Sequence, residues 1–140
     1  MLNVEFWMLN GESDKKMLDE GMTKKNLIVD LSFDFALEVI KLYKILISKN
    51  EYVISNQLLK SATSIGANVN EAQAGQSRKD FIAKMAIASK EARETRYWLL
   101  LIKRSELVSF DNKETIISDL LHTLSSLTNI LTKIVKSAQR

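Results

Sequence analysis

Apolar residues recur along this chain at helical spacing. From about Asp30 to Ser48 one stripe reads Phe35, Val39, Leu42 and Leu46, and a second lies beside it at Ala36, Ile40, Tyr43 and Ile47. Steps of three and four residues return to one face of an α-helix. Two adjacent stripes exceed what an exterior helix of a monomeric bundle needs, so the surplus is available to bury against another subunit. A second helix is expected from Ser55, a favoured N-cap residue, with Gly75 as its stop. Its core stripe is Leu58, Ala62, Ile65, Val69 and Ala72, and a polar stripe runs alongside: Gln57, Ser61, Ser64, Asn68 and Glu71. Gly66 in mid-helix costs on the order of 1 kcal/mol against Ala, which suggests close approach by another helix.

The third helix opens on Ser77-Arg78-Lys79-Asp80, a capping box with Asp in the usual Glu position. It runs to about Ser105, roughly 40 Å. Its core stripe is Phe81, Met85, Ala88, Ala92, Thr95, Leu99 and Ile102, and Tyr97, Trp98, Leu100 and Leu101 widen the apolar surface near its end. The fourth helix is expected from Asp111, capped reciprocally by Glu114, with the stripe Ile117, Leu120, Leu124, Leu127, Leu131, Ile134 and Ala138. Heptad-like spacing over this length suits packing at a shallow angle. Short connections imply antiparallel neighbours. The expectation is an all-α, antiparallel, up-down-up-down four-helix bundle over residues 22–140. Residues 1–21 are punctuated by Gly11 and Gly21 and read as an N-terminal appendage, either poorly ordered or not native, with Met22 an alternative start. The opposing reading docks Phe6 and Trp7 on the bundle.

Composition narrows the chemistry. The 140 residues contain no proline, as suits a chain made of long helices, and no cysteine, which excludes disulfides, thiolate zinc sites and a cysteine nucleophile. No apolar run approaches the roughly 20 residues that span a bilayer, and the first ten residues lack the features of a signal peptide, so the expected location is the cytoplasm. The net charge of +3 is unevenly spread. Residues 1–21 hold two basic and five acidic residues, for −3, and the remainder holds 18 basic and 12 acidic, for +6. A basic folded part permits a nucleic-acid partner.

Helices two and three carry a specific signature. Gln57-Leu-Leu-Lys-Ser61-Ala-Thr-Ser64-Ile-Gly66-Ala-Asn68-Val-Asn-Glu71-Ala is followed by Asp80-Phe81-Ile82 and by Lys90-Glu91-Ala-Arg-Glu94-Thr95-Arg-Tyr97-Trp98-Leu99. Over roughly residues 24–138 the chain resembles the bacterial four-helix-bundle family encoded by intervening sequences in 23S ribosomal RNA genes. The resemblance implies a small four-helix protomer and assembly as a homopentameric ring. It also implies kinship with accessory proteins of diversity-generating retroelements, whose basic barrels bind reverse transcriptase and nucleic acid.

Two sets of residues are candidates for function. Ser61, Ser64, Asn68 and Glu71 share one face of helix two with Gln57, and helix three offers Glu91, Glu94 and Thr95 at similar spacing. These eight form either a polar binding site or, as preferred here, a hydrogen-bonded network inside the bundle or across a subunit interface. The second set is basic: Arg78, Lys79, Lys84, Lys90, Arg93, Arg96, Lys103 and Arg104, against Asp80, Glu91 and Glu94, for a net +5 on one helix. Lys79, Lys90, Arg93 and Arg104 fall near one stripe. A solvated charged face is the bland alternative, and a ring would multiply a modest excess.

Catalysis and metal binding have little support. A di-iron bundle needs a Glu-x-x-His on each of two helices, and the chain has one histidine, His122, with Asp119 three residues before it. Ser61 and Ser64 lie inside a regular helix whose backbone amides are already used, so no oxyanion site accompanies them. The leading expectation is a non-catalytic oligomeric protein without cofactor or metal, binding RNA or DNA, with structured RNA preferred. The alternative is a protein-interaction scaffold docking a partner such as a reverse transcriptase. A metal-dependent bundle enzyme is the third reading.

Overall fold

A computed structural model describes residues 27–139. Four α-helices follow one another in it: α1 (Leu27–Ser48), α2 (Val53–Gln73), α3 (Arg78–Arg104) and α4 (Lys113–Ala138). No strand occurs among the described residues. The appendage expected over residues 1–21, with Phe6 and Trp7, lies outside them. α1 packs on α2, α2 on α3 and α3 on α4, and α4 closes back on α1. The α2–α3 seam is the most extensive and the α1–α4 seam the least.

One apolar core fills the space between the four helices, and the sequence stripes supply it. Phe35, Val39, Leu42 and Leu46 of α1 are buried, as is every residue of the stripes assigned to α2, α3 and α4. Each large aliphatic or aromatic side chain so enclosed contributes about 1.5–3 kcal/mol. The second stripe of α1 is different. Ala36, Tyr43 and Ile47 are half-buried and Ile40 is exposed. Farther out on the same helix, Phe33 is 62% and Leu37 45% exposed.

The helix ends correct three sequence expectations. α1 is already helical at Leu27, ahead of the expected Asp30, and the fully buried Leu27 and Ile28 extend the packed face by a turn. Ser55 does not cap α2. It lies buried in the first turn, and its hydroxyl donates to the Glu51 carbonyl at 2.8 Å. Tyr52 holds the N-cap position without a side-chain bond, and the capping carboxylate comes from Glu51 just before it, which accepts from the amides of Ile54 and Ser55 at 2.9 and 2.7 Å. Glu51 also finishes α1. Its amide donates to the Leu46 carbonyl and the Asn50 amide to Ile47, while Asn50 takes the left-handed conformation, φ 63°. That is a Schellman ending with Asn where Gly is usual. α4 begins at Lys113 rather than Asp111. Asn112, left-handed at φ 60°, sits at its cap with no side-chain capping bond, so the Asp111–Glu114 box is not formed. Ser77 does cap α3, accepting from the Asp80 amide at 3.1 Å.

Two contacts spaced along each of three seams mark the register. Between α1 and α2, the Tyr43 hydroxyl donates to Asn56 Oδ1 at 3.2 Å. Farther along, Gly66 lies against the Ser32 backbone, where a Cβ would stand 3.4 Å from the carbonyl oxygen. Between α2 and α3, Ser61 meets Thr95 and Glu71 meets Lys84. Between α3 and α4, Arg78 Nε donates to the Ala138 carbonyl and Lys103 approaches Glu114 at 4.0 Å. Lys113 Nζ donates to the carbonyls of Ser105 and Val108, tying down the α3–α4 connection.

Candidate nucleic-acid interface

The eight basic residues of α3 divide by direction. Three are turned to neighbouring helices. Arg78 holds the C-terminal carbonyl of α4, where a cation is favoured by the helix dipole. Lys84 pairs with Glu71 of α2 at 2.9 Å, and Lys103 is the partner of Glu114 on α4. The other five, Lys79, Lys90, Arg93, Arg96 and Arg104, are exposed and form no ion pair among the described residues.

Four of these five fall on one line. At about 100° per residue, Lys79, Lys90, Arg93 and Arg104 lie within about 60° of one another around the helix, and Arg96 flanks them. The line faces away from the core stripe that contains Phe81, Ala88, Ala92 and Leu99. It extends for roughly 38 Å. Its charge is weakly opposed. Asp80 sits in the first turn, which favours an acid. Glu94 and the half-buried Glu91 lie to one side of the line, about 60° and 120° around the helix from Lys79, and Glu94 accepts from Trp98 Nε1 at 3.4 Å. A straight row of unpaired cations attracts a polyanion and binds it through its backbone, with no reading of sequence.

Tyr97 also belongs to this line. It is 59% exposed, one turn beyond Arg93 and two turns before Arg104. Its ring meets Trp98 edge-on, with centroids 5.0 Å apart and planes at 78°. The apolar spacing groups it with Trp98, Leu100 and Leu101, yet those three are half-buried and Tyr97 is exposed. Its step of four from Arg93 and of seven from Lys90 and Arg104 was the available signal.

The polar candidates between α2 and α3 come together only in part. Ser61 and Thr95, both buried, meet across the seam: Thr95 Oγ1 is 2.9 Å from Ser61 Oγ and 2.8 Å from the Glu91 carbonyl, while Ser61 donates to Leu58 O at 3.2 Å. Ser64 bonds back to the Lys60 carbonyl at 2.7 Å, and Asn68 to that of Ser64 at 2.8 Å. Glu71 reaches α3 only through its surface ion pair with Lys84, and Gln57 is exposed. The buried network is therefore one hydroxyl pair, and the remaining polar groups are satisfied within their own helix or at the surface.

Among the described residues no three His, Cys, Asp or Glu side chains converge in a way that would hold a metal ion, and His122 is exposed. A groove between α1 and α4, lined by Leu42, Ile45, Ile116 and Leu120, carries Glu38 and Asp119 at its margins with Lys41. No described helix is long and apolar enough to cross a membrane.

Comparison with known proteins adds the family. Residues 24–132 match the 23S rRNA-intervening sequence protein family. The fold is similar to the crystal structure of a protein of unknown function from the S23 ribosomal protein family of Bacteroides thetaiotaomicron VPI-5482. The two are 41% identical with a TM-score of 0.72, over 78% of this chain and 98% of that one. No curated protein matches the chain. Identity at that level over nearly the whole of a solved relative, together with the match across most of the four helices, establishes that the chain belongs to the 23S rRNA-intervening sequence protein family.

Proposed function

We propose that this protein is a non-catalytic, oligomeric scaffold that binds structured RNA through the outer face of α3. The observation that carries the reading is the line of Lys79, Lys90, Arg93 and Arg104, exposed along the whole helix with no ion pair among the described residues. Binding of this kind rests on phosphate contacts and counterion release, so it has weak sequence preference and steep salt dependence. Several copies of the line in one assembly raise affinity without any new contact. The reading includes a cytoplasmic location, where RNA is available.

Within each copy the reading takes the helices as an antiparallel up-down-up-down bundle. The seam contacts support it. From Ser61 to Glu71 along α2 the partner on α3 moves back from Thr95 to Lys84. The same reversal holds from Tyr43–Asn56 to Ser32–Gly66, and from Arg78–Ala138 to Lys103–Glu114. Copies meet through the apolar outer face of α1, where Phe33, Leu37 and Ile40 are exposed. A homopentameric ring is the form that the family resemblance implies.

The test is a filter-binding titration of the full chain with a structured RNA at about 50 and 200 mM salt. Affinity is expected to fall at least about tenfold between the two. Absence of binding at the lower salt, with the oligomer intact, overturns the proposal. Light scattering tests the assembly. A monomer mass would assign the α1 face to a different protein, which is the accessory-subunit reading.

A further inference from the structure

The outer face of α3 is more than a charged rod, because an aromatic ring stands in the row of cations. We infer that Tyr97 is a stacking platform for an unpaired base, and that the preferred ligand is therefore single-stranded RNA, such as a loop or junction, rather than duplex. This rests on the RNA reading above and makes it more specific.

The argument starts from exposure. A tyrosine whose ring serves only to fill a core is covered, yet Tyr97 is 59% exposed while its neighbour Trp98 is half-buried and packs against the core. The hydroxyl of Tyr97 makes no hydrogen bond among the described residues, so no polar contact holds the ring down. What steadies it is the edge-on contact with Trp98 at 5.0 Å, and Trp98 is itself anchored by its bond to Glu94. A single perpendicular neighbour covers at most one face of the ring, and at 59% exposure the other is open for stacking.

Its surroundings suit a nucleotide strand. Arg93 lies about 6 Å before Tyr97 along the helix axis, and Lys90 and Arg104 lie about 10 Å away in either direction. A strand laid along the helix brings phosphates to these cations while a base turns onto the ring. Such stacking tolerates any base, since every base has a π-face. Duplex RNA does not offer this contact. Its bases are stacked on one another, and its deep, narrow major groove is closed to side chains. The same cations still reach duplex phosphates, so duplex binding depends on charge alone.

The experiment compares two fluorescein-labelled RNAs by anisotropy at low salt: an unstructured strand of about 12 nucleotides, within the usual single-strand site size, and a blunt duplex of the same length. The unaltered chain is compared with Tyr97→Leu, Tyr97→Phe and Arg93→Ala, each checked by circular dichroism for an unchanged helical fold. Tyr97→Leu is expected to weaken the single strand about fivefold or more. It leaves the duplex within about twofold and the salt slope unchanged, since no charge is lost. Tyr97→Phe retains single-strand affinity. Arg93→Ala weakens both RNAs and lowers the salt slope. If Tyr97→Leu leaves single-strand affinity unchanged, or weakens both RNAs equally, the stacking inference is overturned while the charge reading stands on Arg93→Ala. If the unaltered chain binds neither RNA at low salt, both fall.

Discussion

The outer faces of α1 and α3 belong to one small domain, yet they have opposite chemistry. α1 presents Phe33, Leu37 and Ile40 to solvent, with Ala36, Tyr43 and Ile47 half-covered beside them. α3 presents Lys79, Lys90, Arg93 and Arg104, with Tyr97 in their midst. The two helices do not share a principal seam, since each packs on α2 and on α4. Their outer surfaces are therefore separate, and one can be covered without hiding the other. An apolar stripe loses little by being buried and gains about 25 cal/mol per Å² of apolar area removed from water. A row of cations loses hydration on burial and gains most from a polyanion. On the function proposed above, the difference suits the two faces to different kinds of partner: protein for α1, nucleic acid for α3.

The largest effect is expected from reversing the character of the α1 face. Leu37→Glu places a charge in the stripe and is expected to reduce the assembly to monomers in light scattering, with the helical spectrum retained. RNA affinity then falls by about 100-fold, because avidity is lost with the copies. An unchanged mass would remove α1 from the interface and end the division of roles. Next comes the converse change. Lys90→Ala with Arg93→Ala is expected to weaken RNA binding by about tenfold or more at low salt and to lower the salt slope by about 2 for each protomer engaged. Assembly mass should not move, and if it does the basic face also takes part in self-association.

Smaller effects should touch neither face. Glu51→Ala removes the cap of α2 and is expected to cost about 1–2 kcal/mol in chemical denaturation, leaving mass and RNA affinity unchanged. The smallest change is Gly66→Ala. The site has room for a methyl group at ordinary contact with Ser32, so the gain in helix propensity should raise stability by about 0.5–1 kcal/mol. Loss of stability instead would mean that α1 and α2 approach more closely than a methyl allows.

The inward half of each helix was legible because burial and spacing follow one rule. Leu58, Ala62, Ile65, Val69 and Ala72 lie on one side of a helix whatever that helix packs against. The helix ends were not legible in the same way. Ser55 and Glu51 are both plausible caps of α2, and the choice turns on Asn50. Its left-handed conformation directs the chain so that Glu51 ends one helix and caps the next. Asp111 and Glu114 have the spacing of a capping box, but the left-handed turn at Asn112 displaces the start of α4 past Asp111. The candidate sites were legible as residue types alone. Glu94 and Trp98 are neighbours by their spacing of four, but nothing in the order of residues says that Thr95 meets Ser61.

The sequence by itself determined that the chain is helical, where its four core stripes lie and that α3 is strongly basic, because these depend on local spacing and side-chain chemistry. Only the tertiary structure decided which basic residues remain available. Arg78, Lys84 and Lys103 are engaged by groups on other helices, and Lys79, Lys90, Arg93 and Arg104 are left to solvent with Tyr97 among them. The reason is physical. A pairing within about 4 Å between residues on different helices depends on how the two helices slide and rotate against each other, and that register is set by packing of the whole core rather than by either helix alone.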